Sequence, residues 1–144
     1  MKKSTSYLAG ALFVFAALTF GRASGAEAAA ISLNSVTFAP GKTVDLSLVQ
    51  QTGSPGDLRA KVTYKNGWAN IELKHKGLEP AMLYGGDVTA YVLWSVTSGG
   101  WATNLGEVRP SKDERKQTYR TNQGNFALMV TAEPFFLAAV PSEL

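Results

Sequence analysis

Cysteine is absent from this 144-residue chain and histidine occurs once. Those two gaps remove much of the chemistry open to a small protein. Without thiols there is no disulfide scaffold, no lipid anchor on cysteine, no thiol nucleophile and no Cys/His zinc site. Charge is sparse, at 17% of residues, which excludes a supercharged chain. No apolar run reaches the roughly 20 residues that a helix needs to cross a bilayer. From Ile31 onward, no stretch keeps apolar residues at i, i+3, i+4 and i+7 for ten or more positions, so amphipathic helices are not expected.

What is present suits a turn-rich sheet domain: 45% hydrophobic residues, 14 glycines and 6 prolines. The formal charge of +3 is unevenly placed. Lys2, Lys3 and Arg22 lie in a leading segment whose only acid is Glu27, leaving 11 bases against 10 acids from Ala28 onward. The body is close to neutral.

The leading segment has the pattern of an export signal. Met1-Lys2-Lys3 is followed by the apolar run Leu8 to Phe20, interrupted only by Gly10 and Thr19, and Gly21-Arg22 ends it too early for a spanning helix. Small residues then offer cleavage after Ala26, Ala28 or Ala30. The expected organisation is a helical signal peptide over 1–30 and one domain over 31–144. Its destination is the periplasm, the cell envelope or the outside, with membrane contact only through an uncleaved signal.

Period-two patterning dominates the body. Val44, Leu46 and Leu48 alternate with Thr43, Asp45 and Ser47, and a shorter strand is expected over Ile31 to Phe38. The strongest local signal is a hairpin: Leu58 to Lys65, then Asn66-Gly67, then Trp68 to His75. Asn-Gly accepts the positive φ of a two-residue type I′ turn. Pairing Lys65 with Trp68 puts Val62 opposite Ile71 and Ala60 opposite Leu73 on one face, with Lys61 opposite Glu72 and Thr63 opposite Asn70 on the other. A one-residue slip would destroy that agreement. Thr89 to Val96 is nearly continuous in β-favouring residues, as in a strand covered on both faces. It turns at Ser98-Gly99-Gly100 and returns over Trp101 to Val108, with Trp94 expected opposite Leu105 and Val96 opposite Thr103. Arg109 to Lys116 reads as a solvated connection or one helical turn capped by Ser111 and Glu114. Gln117 to Thr121 and Phe126 to Thr131 are expected as a last hairpin, and Phe135 to Val140 as one further strand. About seven strands with short turns predict an antiparallel two-sheet sandwich of immunoglobulin-like type.

Catalytic signals are thin. His75 follows Ala69, Ile71 and Leu73 on the inward face, which suits a packed histidine, and no Gly-x-Ser-x-Gly elbow accompanies it. Gly41-Lys42-Thr43 lacks the glycine that a phosphate-binding loop requires five positions earlier, where Val36 stands. Asp45, Asp57, Asp87, Asp113, Glu114 and Glu133 are scattered and form no calcium-loop pattern. The bases at Lys112 to Lys116 are interleaved with Asp113 and Glu114, so they make no phosphate-tracking run, and nucleic acid is not expected as a partner. Trp94 belongs in the core. Trp68 and Trp101 each follow a glycine at a hairpin tip, where a large aromatic either covers the turn or, with Asp87 as a further candidate, touches a ligand, a glycan or an envelope protein. No cofactor or metal is expected.

Four short motifs occur in order: Gly77-Leu78-Glu79-Pro80, Tyr91-Val92-Leu93-Trp94, Asn104-Leu105-Gly106-Glu107 and Val130-Thr131-Ala132-Glu133-Pro134. The series, covering about Leu58 to Ser142, resembles the extracytoplasmic β-sandwich of anti-sigma-K factors. It is still more similar to the N-terminal sandwich of bacterial envelope proteins bearing a peptidoglycan-binding domain of the outer-membrane-protein-A type. The resemblance implies a sandwich fold and an envelope role, and it brings no catalytic residue. Sigma-factor binding and peptidoglycan binding do not carry over, because the segments responsible have no counterpart among these residues. The expected function is a non-enzymatic interaction module of the envelope, able to self-associate through an open edge strand. Two alternatives stand beside it: a small secreted glycan-active or hydrolytic protein using loop acids and the tip tryptophans, and a signal-anchored envelope sensor.

Overall fold

The computed structural model describes residues 11–14, 33–50, 57–85 and 87–142. Nine strands account for most of them: β1 Ala11–Val14, β2 Val36–Thr37, β3 Thr43–Gln50, β4 Asp57–Lys65, β5 Trp68–Lys76, β6 Ala90–Val96, β7 Ala102–Val108, β8 Arg115–Thr121 and β9 Asn125–Glu133. The one helical element among the described residues is a 3₁₀ turn at Ala81–Tyr84. The strands form two antiparallel layers of four, β3-β4-β5-β8 and β7-β6-β9-β2, packed as a β-sandwich. Strand β1 lies between β9 and β3 and runs parallel to both.

The β4–β5 hairpin has the predicted register throughout, from Lys65 opposite Trp68 to Leu58 opposite His75. Asn66 at φ 54° and Gly67 at φ 76° supply the left-handed turn that Asn-Gly was expected to make. Period-two alternation then sorts the side chains. Leu46, Leu58, Ala60, Val62, Ile71 and Leu73 face Tyr91, Leu93, Phe126, Leu128 and Val130 of the other layer in one core. Each large aliphatic group in it contributes about 1.5–3 kcal/mol by leaving water. The Phe38 and Phe126 rings meet at 4.7 Å between centroids.

Strand β6 is buried along its whole length, as its composition predicts. Its outward side chains Val92, Trp94 and Val96 form a second cluster with Met129 and Ala138, with Leu33 packed against it.

Several expectations are corrected. The β6–β7 pairing is shifted at its tip: Trp94 faces Asn104 and Val96 faces Ala102, because the turn is the three-residue loop Ser98-Gly99-Gly100. A bulge at Leu105-Gly106, with Gly106 at φ 132°, then restores the expected register from Leu93 onward. Strands β8 and β9 are consecutive but do not pair, since β8 adds to β5 and β9 to β6. The segment 122–124 therefore crosses between layers. Residues 109–114 hold no helical turn, so Ser111 and Glu114 cap nothing, and Ser111 instead bridges to Leu78. Phe135 to Val140 is irregular, because it covers the outer face of β6 and β9 rather than extending a sheet. The early strand shrinks to Val36–Thr37 among the described residues. Finally, residues 11–14 of the expected helical signal are extended. An apolar run has no fixed period, and two sheet edges offer it backbone partners on both sides. The remainder of 1–30 lies outside the described residues.

Candidate functional site

The two layers present very different outer faces. On β3-β4-β5-β8, the outward positions line up in cross-strand rows. One row is Thr43, Thr63, Asn70 and Arg120. The next is Asp45, Lys61, Glu72 and Thr118, and a third is Ser47, Arg59, Lys74 and Lys116. Lys65 with Trp68 and Asp57 with Lys76 close the two ends. The face thus carries Arg59, Lys61, Lys65, Lys74, Lys76, Lys116 and Arg120 against Asp45, Asp57 and Glu72. From residue 28 on, the rest of the chain holds four bases and seven acids, so a nearly neutral body is strongly polarised.

The third row sets Arg59, Lys74 and Lys116 directly opposite one another, an arrangement that costs stability between like charges. Acids at its margins answer in part. Arg59 meets Asp57, Lys74 meets Glu114 and Lys116 meets Glu72, each at 3.1 Å. All three are solvent-exposed pairs, worth about 0–1 kcal/mol each. No ion pair among the described residues involves Lys61, Lys65 or Lys76. A shallow groove of about 650 Å³ crosses this face, lined by Lys61, Thr63, Asn70, Glu72, Thr118 and Arg120 among others.

Trp68 stands at the edge of the same face, 43% exposed, with the Arg120 guanidinium 4.8 Å from its ring centroid. This cation–π contact fixes both groups. Trp101 is 79% exposed at the tip of the β6–β7 hairpin. The strand registers put both tips at one end of the sandwich but on different layers, because β5 begins where β8 ends and β6 ends where β9 begins. Asp87 is exposed beside Val88 and Ala90, at the opposite end. The structure therefore does not bring Trp68, Trp101 and Asp87 together, and the groove across the β3-β4-β5-β8 face includes none of them.

The opposite outer face is closed by the chain itself. Trp94 Nε1–H donates to Thr131 Oγ1 at 2.8 Å, and the Thr131 hydroxyl donates to Glu133. Glu133 is 1% exposed, and its carboxylate also accepts from the Ser142 N–H at 3.0 Å and from the Ser142 hydroxyl. Asn104 Nδ2 donates to the carbonyls of Phe136 and Ala138, at 2.9 and 2.8 Å, and Thr89 Oγ1 donates to the Pro134 carbonyl at 2.6 Å. Three of the four quoted motifs meet here in a structural clamp: Trp94, Asn104, and Thr131 with Glu133.

The seam between β7 and β8 is closed by side chains. Tyr119 Oη–H donates to the Glu107 carbonyl at 2.7 Å, and Gln117 Oε1 accepts from the Arg109 N–H at 2.8 Å. Burial, and after it the charge of Glu107, pushes the Tyr119 phenol well above its ordinary range, so it remains a donor. His75 is 2% exposed, and neither ring nitrogen makes a hydrogen bond of good geometry among the described residues. Burial holds its pKa below the ordinary 6.5. Arg115 adds to that effect, while Gln117 and the Arg109 backbone oppose it. Such an imidazole is a packed group: Asp57 and Glu114 line the same surface groove, but neither ring nitrogen is hydrogen-bonded to them.

Among the described residues, no three His, Asp or Glu side chains converge as a metal site. Compared with protein-family models, with curated proteins and with solved structures, the chain finds no match.

Proposed function

We propose that this chain is an exported, non-enzymatic β-sandwich that binds an anionic polymer of the bacterial cell envelope, a glycan carrying carboxylate or phosphate groups. The contact surface is the outer face of β3-β4-β5-β8. The observation that carries this proposal is the charge segregation: seven bases and three acids at the outward strand positions of one sheet face, with Glu114 beside Lys74 at its margin, on an otherwise slightly acidic body. Folding does not need Arg59, Lys74 and Lys116 side by side, whereas a polyanion lying across the strands does. Trp68, held by Arg120 at the margin, adds an aromatic surface against which a sugar ring packs. The export pattern of the leading segment and the resemblance to envelope sandwiches supply the compartment, where a glycan rather than nucleic acid is the polyanion at hand. The glycan-active enzyme alternative draws no support from geometry, since Asp87 lies at the far end from both tip tryptophans.

The test is binding of a carboxylate-bearing polysaccharide and of a glycerol-phosphate polymer to wild type and to Lys61→Glu/Lys74→Glu/Lys116→Glu. Wild-type affinity is expected to fall with salt, and the triple variant to bind at least about tenfold more weakly, at roughly 1 kcal/mol per base near an anionic surface. Equal binding by the variant, or tighter binding of wild type to DNA of the same charge density, would overturn the assignment. Fractionation checks the compartment: protein retained in the cytoplasm contradicts it.

A further inference from the structure

The two seams of the sandwich are closed by different means. At β7 and β8, the side chains of Tyr119 and Gln117 span the gap. At β9 and β3, the gap is filled by backbone. Strand β1 pairs Ala11 with Leu48 and Leu12 with Val49 on one flank, and Ala11 with Leu128 through Val14 with Thr131 on the other. Strand β2 covers β9 only at Asn125 and Phe126, so the slot that β1 fills is bounded by 48–50 and 128–131. Both walls run in the same direction, which is why the inserted strand is parallel to each.

The occupant belongs to the segment that carries the export pattern. If that segment is removed, two rows of backbone N–H and C=O groups lose their partners beside Leu48, Leu128 and Val130, which are buried. Unpaired backbone in such a position is costly, and an open edge recruits another strand. The seated sequence, Ala11-Leu12-Phe13-Val14, states what the slot takes: four uncharged apolar residues, extended, with the backbone free to pair on both sides.

We propose that the β3/β9 seam is a strand-acceptor slot. The leader occupies it in the unprocessed chain. In the mature chain an extended apolar segment of a partner protein takes its place, parallel to β3 and β9. This rests on the export proposal in one respect only, the departure of the leader.

The absence of cysteine makes the test clean. Registered neighbours on adjacent strands lie about 5 Å apart, within the range a disulfide spans. Full-length Leu12→Cys/Val49→Cys is therefore expected to cross-link internally, and Leu12→Cys/Ser47→Cys, out of register, is not. In a second arm, full-length Phe13→Pro/Val49→Cys is expected to free the slot without relying on cleavage, because proline breaks the backbone ladder of β1. It is offered a synthetic peptide of residues 8–15 with Cys in place of Leu12 and lysines at both ends for solubility. Capture is expected at least tenfold faster than for the same peptide with Pro in place of Phe13, which cannot complete the ladder. No in-register cross-link, or equal capture of the two peptides, overturns the slot. Covalent dimers through the thiol introduced by Val49→Cys, in place of peptide capture, would assign the seam to a second copy and overturn the partner-strand proposal. Capture by the variant with no leader cleavage during export would leave the slot standing and refute the exchange. Cleavage without capture refutes the slot and leaves export intact.

Discussion

The outer faces of the two layers share a backbone geometry and have opposite fates. On β6 and β9, Val92, Trp94, Val96 and Met129 are roofed by residue 33 and the 134–142 segment, which Asn104 and Glu133 tie down. On β4, β5 and β8, the outward positions are polar, charged or, at Trp68, aromatic, and no segment among the described residues covers them. The difference lies in the sequence of each strand. A strand apolar at every position demands cover on both sides, whereas one that alternates leaves a face free for solvent or a ligand. One face therefore holds the fold together, and the other is available for binding.

Substitutions should separate the two faces by what they damage. Trp94→Ala is expected to have the largest effect, a loss of about 3–5 kcal/mol in urea unfolding, because it empties a buried site and removes the donor to Thr131. Glu133→Ala should cost about 1–3 kcal/mol, since the Ser142 N–H and the Thr131 hydroxyl lose their acceptor. It should also release residues 134–142 to limited proteolysis while the core strands stay protected. A Glu133→Ala protein as stable and as protease-resistant as wild type would break the clamp assignment.

The histidine gives a smaller, pH-dependent effect. Folded His75 has its pKa held below 6.5 by burial, while the unfolded chain titrates near 6.5, so the unfolded state binds more protons between the two values. Stability is therefore complete above pH 6.5 and is lost as pH falls through the folded value. His75→Leu should flatten the part of the stability profile that falls below pH 6.5, and an unchanged slope there would contradict a buried neutral imidazole. The smallest stability effect belongs to the open face: Lys61→Glu, Lys74→Glu or Lys116→Glu singly should shift unfolding by no more than about 1 kcal/mol while weakening polymer binding.

Legibility in the sequence follows the range of the interaction. The β4–β5 register was readable because Asn66-Gly67 fixes the turn and the pairs Val62–Ile71 and Lys61–Glu72 agree with it. The β6–β7 register was half readable, since a three-residue loop and the Leu105-Gly106 bulge offset each other beyond Leu93. That β8 joins β5 rather than β9 depends on which edges remain free after collapse, and no local pattern encodes it. The basic face is non-local for the same reason. The densest run of bases in the sequence is Lys112 to Lys116, whereas the basic face draws on three strands. Its signal was nonetheless present in the predicted hairpin, whose outward positions already set Arg59, Lys61, Lys65 and Lys74 against Glu72. The candidate residues divide accordingly: Trp68 lies at the margin of the face, and Trp101 and Asp87 lie off it.

The claim that one face binds while the other holds the fold is tested most directly by mapping backbone amide shifts during titration with a carboxylate-bearing polysaccharide. The account predicts perturbations concentrated at the outward positions of β4, β5 and β8, including Arg59, Lys74, Lys116 and the Trp68 indole N–H, fading as salt is raised. Perturbations confined to the 134–142 cover, or none at polymer concentrations that saturate a polybasic control peptide, would contradict it.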